Sequence, residues 1–397
     1  MRVAASALLF VQMSTAQAAT NSLHELVKVQ LAAQPKVVAT ETLDSFAFES
    51  FVPVQSIEYR MGHSDTFESG ESSDREQHRY TFNIKSFTEL AKTPESRMLS
   101  RQLLRSERQE AVNQGRFDSY IALVNHLVSS RLTQVLETRR IQLQRIVDRY
   151  NHKLGQQKIN AKDLLDDFRS LQKVEAEYSS AKEQLSDGMP PASDAVVKTL
   201  IDNVGATQKQ LLRLSKDLAT PTLGRAQIEM RLDRINREIK WADDTKIVDS
   251  VIYQRSSVEN EEAVRISFNI PFLRFDRENR SREQTLLRVK ERELEMSTKA
   301  MHEKLRRNLL TLNGLAAQIS IVRARFTTTN TLLGRLKNVQ DLDLRSQLIE
   351  LNSQLERDIL TLGQRYYTLY LEYLRDAGVF GRMDVDFLDA NWKDLSR

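Results

Sequence analysis

One short motif occurs twice in the sequence, and the pattern downstream of it is repeated as well. Thr81-Phe82-Asn83-Ile84 closes one stretch of alternating residues. Ser267-Phe268-Asn269-Ile270 closes another, roughly 185 residues further on, a period long enough to mark two structural copies within one chain. In the first, Tyr80, Phe82 and Ile84 alternate with Arg79, Thr81, Asn83 and Lys85. In the second, Val264, Ile266, Phe268, Ile270 and Phe272 alternate with Arg265, Ser267 and Asn269. A period of two is that of a β-strand with one apolar and one polar face. Each strand has a candidate partner upstream, over about 54–61 (Ile57, Tyr59 and Met61 on one face) and about 247–255. Polar segments at 62–77 and 256–262 read as the hairpin loops, which assigns one hairpin to 54–87 and a second to 247–272.

Behind each hairpin the period changes from two to that of a helix. Over 94–154, Phe117, Ile121, Val124, Val128, Leu132 and Val135 recur at spacings of four and three. A helix of about 60 residues is a rod of roughly 90 Å, and a narrow apolar stripe of that length needs other helices to cover it as in a coiled coil. A second such stretch covers about 277–336. Both break, at 155–160 and around 337–343. A return helix then begins in each half, one near Asp163, Leu164, Leu165 and Asp166, the other carrying Leu344 to Tyr373 and closing at Gly378. Two shorter helices over about 193–218 and 222–243 flank Thr220-Pro221. The helical blocks are therefore 94–243 and 277–378. With 12 Gly and 7 Pro in 397 residues, little chain is left for loops.

The N-terminus has an apolar stretch, Val3 to Val11, behind Arg2, and the small residues Ala16 and Ala18 come next. This pattern reads as a secretory signal peptide over 1–18. Residues 19–53 contain a short helix with Ser22 and Glu25 as a capping box, interrupted by Pro35. Residues 379–397 are expected to be a loosely held tail.

Other classes leave no trace. The chain has no cysteine, and its six histidines form no His-x-x-x-His or Glu-x-x-His pair, so no metal site, cofactor or catalytic residue is assigned. The net charge of +4 comes from interspersed signs, without the basic block and interleaved aromatics that nucleic acid requires. No apolar run reaches the ~18 residues of a membrane-spanning helix. Strands of eight to eleven residues do suit a bilayer, however, and in lipid only a closed barrel satisfies their backbone. Four strands cannot close one, so several copies are needed; three would give twelve strands. The apolar faces, represented by Tyr80, Phe82, Ile84, Val264, Ile266 and Phe268, would then look at lipid, and the polar faces at a wet lumen. A soluble periplasmic coiled-coil scaffold or adaptor is the alternative.

Over nearly its whole mature length the chain resembles the TolC-like outer-membrane efflux proteins. The segment from Ser22 to Gln34-Pro35 is similar to the family's opening helix, and Pro53 stands before the first strand. Ile270-Pro271-Phe272 is similar to its strand-to-helix signature, centred on Pro271. Gly155 with Asp163-Leu164-Leu165-Asp166 is similar to the motif at its helical tip, and Gln347-Leu348-Ile349-Glu350 falls on the same motif in the second half. Lys85 stands in place of a strand-end proline, and the second tip lacks its glycine.

The resemblance implies a mainly α fold with a small β part: long antiparallel coiled-coil helices, two structural repeats, and four strands given to a trimeric twelve-stranded barrel. It implies a non-enzymatic exit duct of a tripartite efflux or type I secretion system. The expected partners are two further copies, a periplasmic adaptor, an inner-membrane transporter of RND, ABC or MFS type, and outer-membrane lipid. Asp343, Gln347, Glu350, Asp163 and Asp166 would line the periplasmic entrance.

Overall fold

A computed structural model of the chain describes residues 22–32, 54–68, 71–154, 161–183, 185, 193–216, 221–244, 246–256, 262–268, 277–335 and 342–395. In chain order its elements are α1 (Leu23–Ala32), β1 (Val54–Glu68), β2 (Glu71–Ile84), α2 (Phe87–Leu154), α3 (Ala161–Glu183), α4 (Asp194–Asp202), α5 (Val204–Leu214) and α6 (Pro221–Asp244). They continue with β3 (Val248–Ser256), β4 (Glu262–Phe268), α7 (Arg277–Arg335) and α8 (Leu342–Asp376). Residues 1–18, expected to be a signal peptide, and Pro271 lie outside the described residues. Two compact units result: residues 1–36, 109–220 and 301–397 form one, and residues 37–108 and 221–300 the other.

The second of these units holds the sheet. Among the described residues four strands pair antiparallel in the order β1-β2-β3-β4, so consecutive strands are neighbours throughout. The first hairpin is longer than its alternation suggests. Pairing continues from Gly62↔Gln77 to Glu68↔Glu71, through the segment expected to be a polar loop. The backbone ladder does not require apolar side chains. β3 meets β2 from Asn83↔Ser250 to Gln77↔Ser256, so among the described residues the far end of this hairpin pairs only β1 with β2.

The start of α2 also precedes its expected position at Pro94. The Ser86 hydroxyl accepts the Glu89 backbone N–H at 3.1 Å, and the Leu90 N–H reaches the Ser86 carbonyl at 3.0 Å. Ser86 thus caps the helix with Glu89 at the third position, and Pro94 is accommodated inside it. In this unit α6 is joined to the neighbouring parts of α2 and α7 largely by polar contacts. Trp241 Nε1 donates to Glu283 at 2.6 Å, Lys290 Nζ to Asp233 at 2.9 Å, and Ser96 Oγ to Asn236 at 3.2 Å.

The other unit contains the main apolar core. Tyr120, Val124, Leu127 and Val128 of α2 meet Leu200 and Leu211 of α4 and α5, Leu312 and Ile319 of α7, and Tyr366, Tyr367 and Tyr370 of α8. The helical spacing of these residues turns one stripe per helix inward. A satellite seam joins Leu136, Leu143 and Val147 of α2 to Leu171, Val174 and Ala181 of α3. The single helix expected over 193–218 is two, α4 and α5, interrupted at Asn203, whose side-chain amide donates to the Leu388 carbonyl at 2.9 Å.

That carbonyl belongs to the segment expected to hang loose. Instead Val379, Phe380, Phe387 and Leu388 are buried in the core, with at most 1 % exposure. Gly378, at φ 66°, ends α8 in the left-handed conformation. Its N–H reaches the Arg375 carbonyl at 2.8 Å, and the Val379 N–H reaches Leu374 at 2.9 Å, which is the Schellman pattern. Arg116 then donates to the carbonyls of Phe380 and Met383, at 2.9 and 2.8 Å. The aromatic content of the segment explains the difference: without a helical or strand period, its Phe and Trp rings still bury large apolar areas.

Candidate pore-forming surfaces

Register fixes which side chains of the sheet share a face. One row runs Ile57, Phe82, Val251, Ile266 across the four strands, and the next runs Tyr59, Tyr80, Tyr253, Val264. This apolar face is open: Ile57 is 62 % exposed, Val264 66 % and Phe268 63 %. Tyr80, Ile266 and Phe268 are likewise exposed, while Phe82 and Ile84 are half-buried. Strand pairing therefore gathers apolar side chains from all four strands onto one surface.

Three tyrosines make a band across this surface. The Tyr59 and Tyr80 rings are 5.0 Å apart, and Tyr80 and Tyr253 are 6.3 Å apart. Tyr59 Oη lies 2.7 Å from His78 Nδ1. Amphipathic rings of this kind favour the level where hydrocarbon meets water. Tyr253 escapes a reading of β2 and β4 alone; the signal that finds it is the cross-strand register.

The opposite face carries Ser56, Asn83, Ser250 and Ser267 in one row, Glu58, Thr81, Ile252 and Arg265 in the next, and Arg60, Arg79, Gln254 and Ala263 in the third. Ile252 is its one large apolar side chain. Asn83 Nδ2 donates to Ser56 Oγ at 2.7 Å. At the base of the sheet, the Lys246 ammonium binds Asp243 at 2.9 Å and Asp249 at 3.2 Å, and donates to the Ile84 carbonyl at 3.3 Å. It thereby ties the end of β2 to the segment leading into β3. β1 and β4 are the two edges, each with one strand partner among the described residues.

The polar residues singled out at the helix breaks fall in the other unit and do not all meet. Glu350 of α8 is half-exposed and pairs with Arg139 of α2 at 3.0 Å. Asp166 of α3 faces solvent and pairs along its own helix with Arg169 at 3.5 Å. Gln347 is exposed. Asp343 sits in the first turn of α8 and Asp163 in that of α3, and their side chains lie outside those described.

Sequence reasoning passed over Arg131, which ties three helices by donating to Glu356 of α8 and Asp194 of α4, both at 2.6 Å. It borders a cleft of about 680 Å3 whose floor includes Val197, Ile201, Phe326 and Ile359. The pairing of Arg323 with Asp202 on the same cleft leaves its rim charges matched. Among the described residues, no group of three His, Asp or Glu gathers where it could hold a metal ion.

Compared by sequence alone, the chain matches no protein-family model and no curated protein. Compared by structure it is similar to a set of bacterial membrane channels. The open state of the Neisseria gonorrhoeae MtrE outer membrane channel superposes with a TM-score of 0.57, covering 94% of this chain and 90% of that one at 10% identity. The chain has the outer-membrane channel fold. The outer membrane protein VceC of Vibrio cholerae shares this fold at a TM-score of 0.56 and 12% identity, over 91% of this chain and 94% of that one. The Campylobacter jejuni CmeC outer membrane channel shares it at 0.55 and 11% identity, over 90% and 82%. The likeness spans most of this chain and most of each of the three channel chains.

Proposed function

We propose that the chain is one subunit of an outer-membrane exit duct. The observation that carries this reading is the sheet: four strands with a largely exposed apolar face, a polar reverse face and, among the described residues, an edge strand at each side with a single strand partner. In lipid an unpaired edge is costly, and β1 of one copy pairing with β4 of the next removes both edges. A homotrimer then closes a twelve-stranded barrel. The apolar face, including Tyr80, Phe82, Ile84, Val264, Ile266 and Phe268, meets lipid; the polar face lines water. The repeated order of hairpin, long helix and shorter helices in the two halves supports two structural repeats, joined to the barrel at positions such as Pro271.

The helices are assigned to the periplasmic side of the duct. Asp343, Gln347, Glu350, Asp163 and Asp166 are assigned to its entrance, where Glu350 is held by Arg139. A periplasmic adaptor and an inner-membrane transporter of RND, ABC or MFS type would dock there and drive efflux or type I secretion. The subunit itself acts as a passive conduit, exported by the signal at its N-terminus.

The test is fractionation and then electrical recording. The full chain should sediment with the outer membrane as an oligomer and give conductance steps in a planar bilayer. Release by a salt wash, with the fold intact, would identify a periplasmic scaffold instead.

A further inference from the structure

We propose that Arg60, Arg79 and Arg265 give the pore a preference for small anionic solutes. This rests on the reading that the polar face of the sheet lines a water-filled lumen. Arg60 of β1 stands directly opposite Arg79 of β2. Arg265 of β4 lies on the same face, in the row of Glu58, Thr81 and Ile252. All three arginines are exposed. Glu58 is the one acidic residue among the three polar rows, and it lies 3.4 Å from Arg60. Within these three rows, three arginines against one glutamate leave two positive charges from each chain.

Like charges directly opposite one another on adjacent strands weaken the pairing. Arg60 and Arg79 occupy such positions in the middle of a ladder that Ser, Thr or Gln would satisfy equally well. Their placement makes physical sense where water and salt screen the repulsion and a mobile counter-ion is at hand. Repeated in every copy around a closed barrel, the set becomes a charged ring with low-dielectric walls, which raises the local concentration of anions. Rings of arginine or lysine side chains are the usual basis of anion preference in pores.

Two of the four acids at the helix breaks oppose this weakly. Glu350 is engaged by Arg139 and Asp166 by Arg169, so their charge is offset locally. The sheet, rather than the helix breaks, then sets the sign of the permeant ion.

Reversal potentials decide the matter. The full-length protein is inserted into phosphatidylcholine bilayers under a KCl gradient. The expected potential has the sign of chloride preference and shrinks as both salt concentrations are raised. The double variant Arg60→Gln/Arg79→Gln should move it toward zero. Glu58→Gln should move it the opposite way, further toward chloride, which a purely structural role of these residues would not produce. If the double variant fails to assemble, Arg265→Gln and Glu58→Gln carry the same test. Conductance steps with potassium preference, unmoved by these substitutions, would overturn the proposal while leaving the pore intact. An oligomer inserted in the membrane that yields no steps would overturn the pore and the anion preference together.

Discussion

Tyr367 shows how single buried hydroxyls hold the helices in place. Its Oη donates to the Leu200 carbonyl, in the last turn of α4, at 2.5 Å, and burial raises the hydroxyl well above the ordinary tyrosine range. It is therefore a donor at any physiological pH. Tyr367→Phe keeps the ring and orphans the carbonyl, so it should lower stability by about 1–3 kcal/mol, read as a shift of the urea midpoint in detergent. Asp386 is a different case. It is fully buried beside His24, whose Nδ1 is 3.0 Å away. Burial raises its carboxyl above 3.8, opposed by the His24 and Leu388 hydrogen bonds. An acid whose folded pKa is raised takes up its proton first in the folded state. This group therefore favours folding below 3.8 and loses that contribution as pH rises through its folded value. Asp386→Asn should flatten that part of the stability profile, measured by denaturation at several pH values between 3.8 and neutrality.

At the scale of elements, the C-terminal segment fits closely against α2. Gly381 leaves no room for a side chain: an added Cβ would come within 2.7 Å of the Gln109 carbonyl oxygen on α2. Because the obstacle is backbone, Gly381→Ala should cost about 1–3 kcal/mol as an overpacked contact does, visible as a lower melting temperature. Tyr120 links the same segment to α2, accepting the Phe387 N–H at 3.3 Å and donating to the Val385 carbonyl at 3.2 Å. Removing residues 379–397 would expose Tyr120 and Tyr370 and leave these groups unpaired. The shortened chain should then be recovered as protease-sensitive material rather than as a folded oligomer. The helices and strands themselves were largely legible because their periods are set by the backbone: Val124 and Val128 announce a buried stripe, and Phe82 and Ile84 an apolar strand face. The strand pairing over 62–77 was not, since a polar sequence such as Ser72-Ser73-Asp74 pairs through its backbone without an apolar face to betray it. The early start of α2 was legible in principle from Ser86 and Glu89, a capping box that Pro94 obscured.

For the molecule as a whole, the two faces of the sheet make opposite predictions. Ile266→Lys places a charge on the apolar face and should cost about 2–4 kcal/mol if that face meets the bilayer midplane. Ser267→Lys, one residue along and on the other face, should insert normally. The yield of oligomer after reconstitution into vesicles distinguishes them, and equal tolerance would remove the lipid-facing assignment. The sequence by itself determined the kind of elements this chain forms and which side of each is apolar, because periods of two and 3.6 are imposed by strand and helix geometry. Only the tertiary structure decided how Tyr59, Tyr80 and Tyr253 join into one band, how Arg139 engages Glu350, and that residues 379–395 close the core rather than trail from it. Those outcomes depend on residues far apart in the chain, joined by strand register, charge pairing and aromatic packing, and no local pattern encodes them.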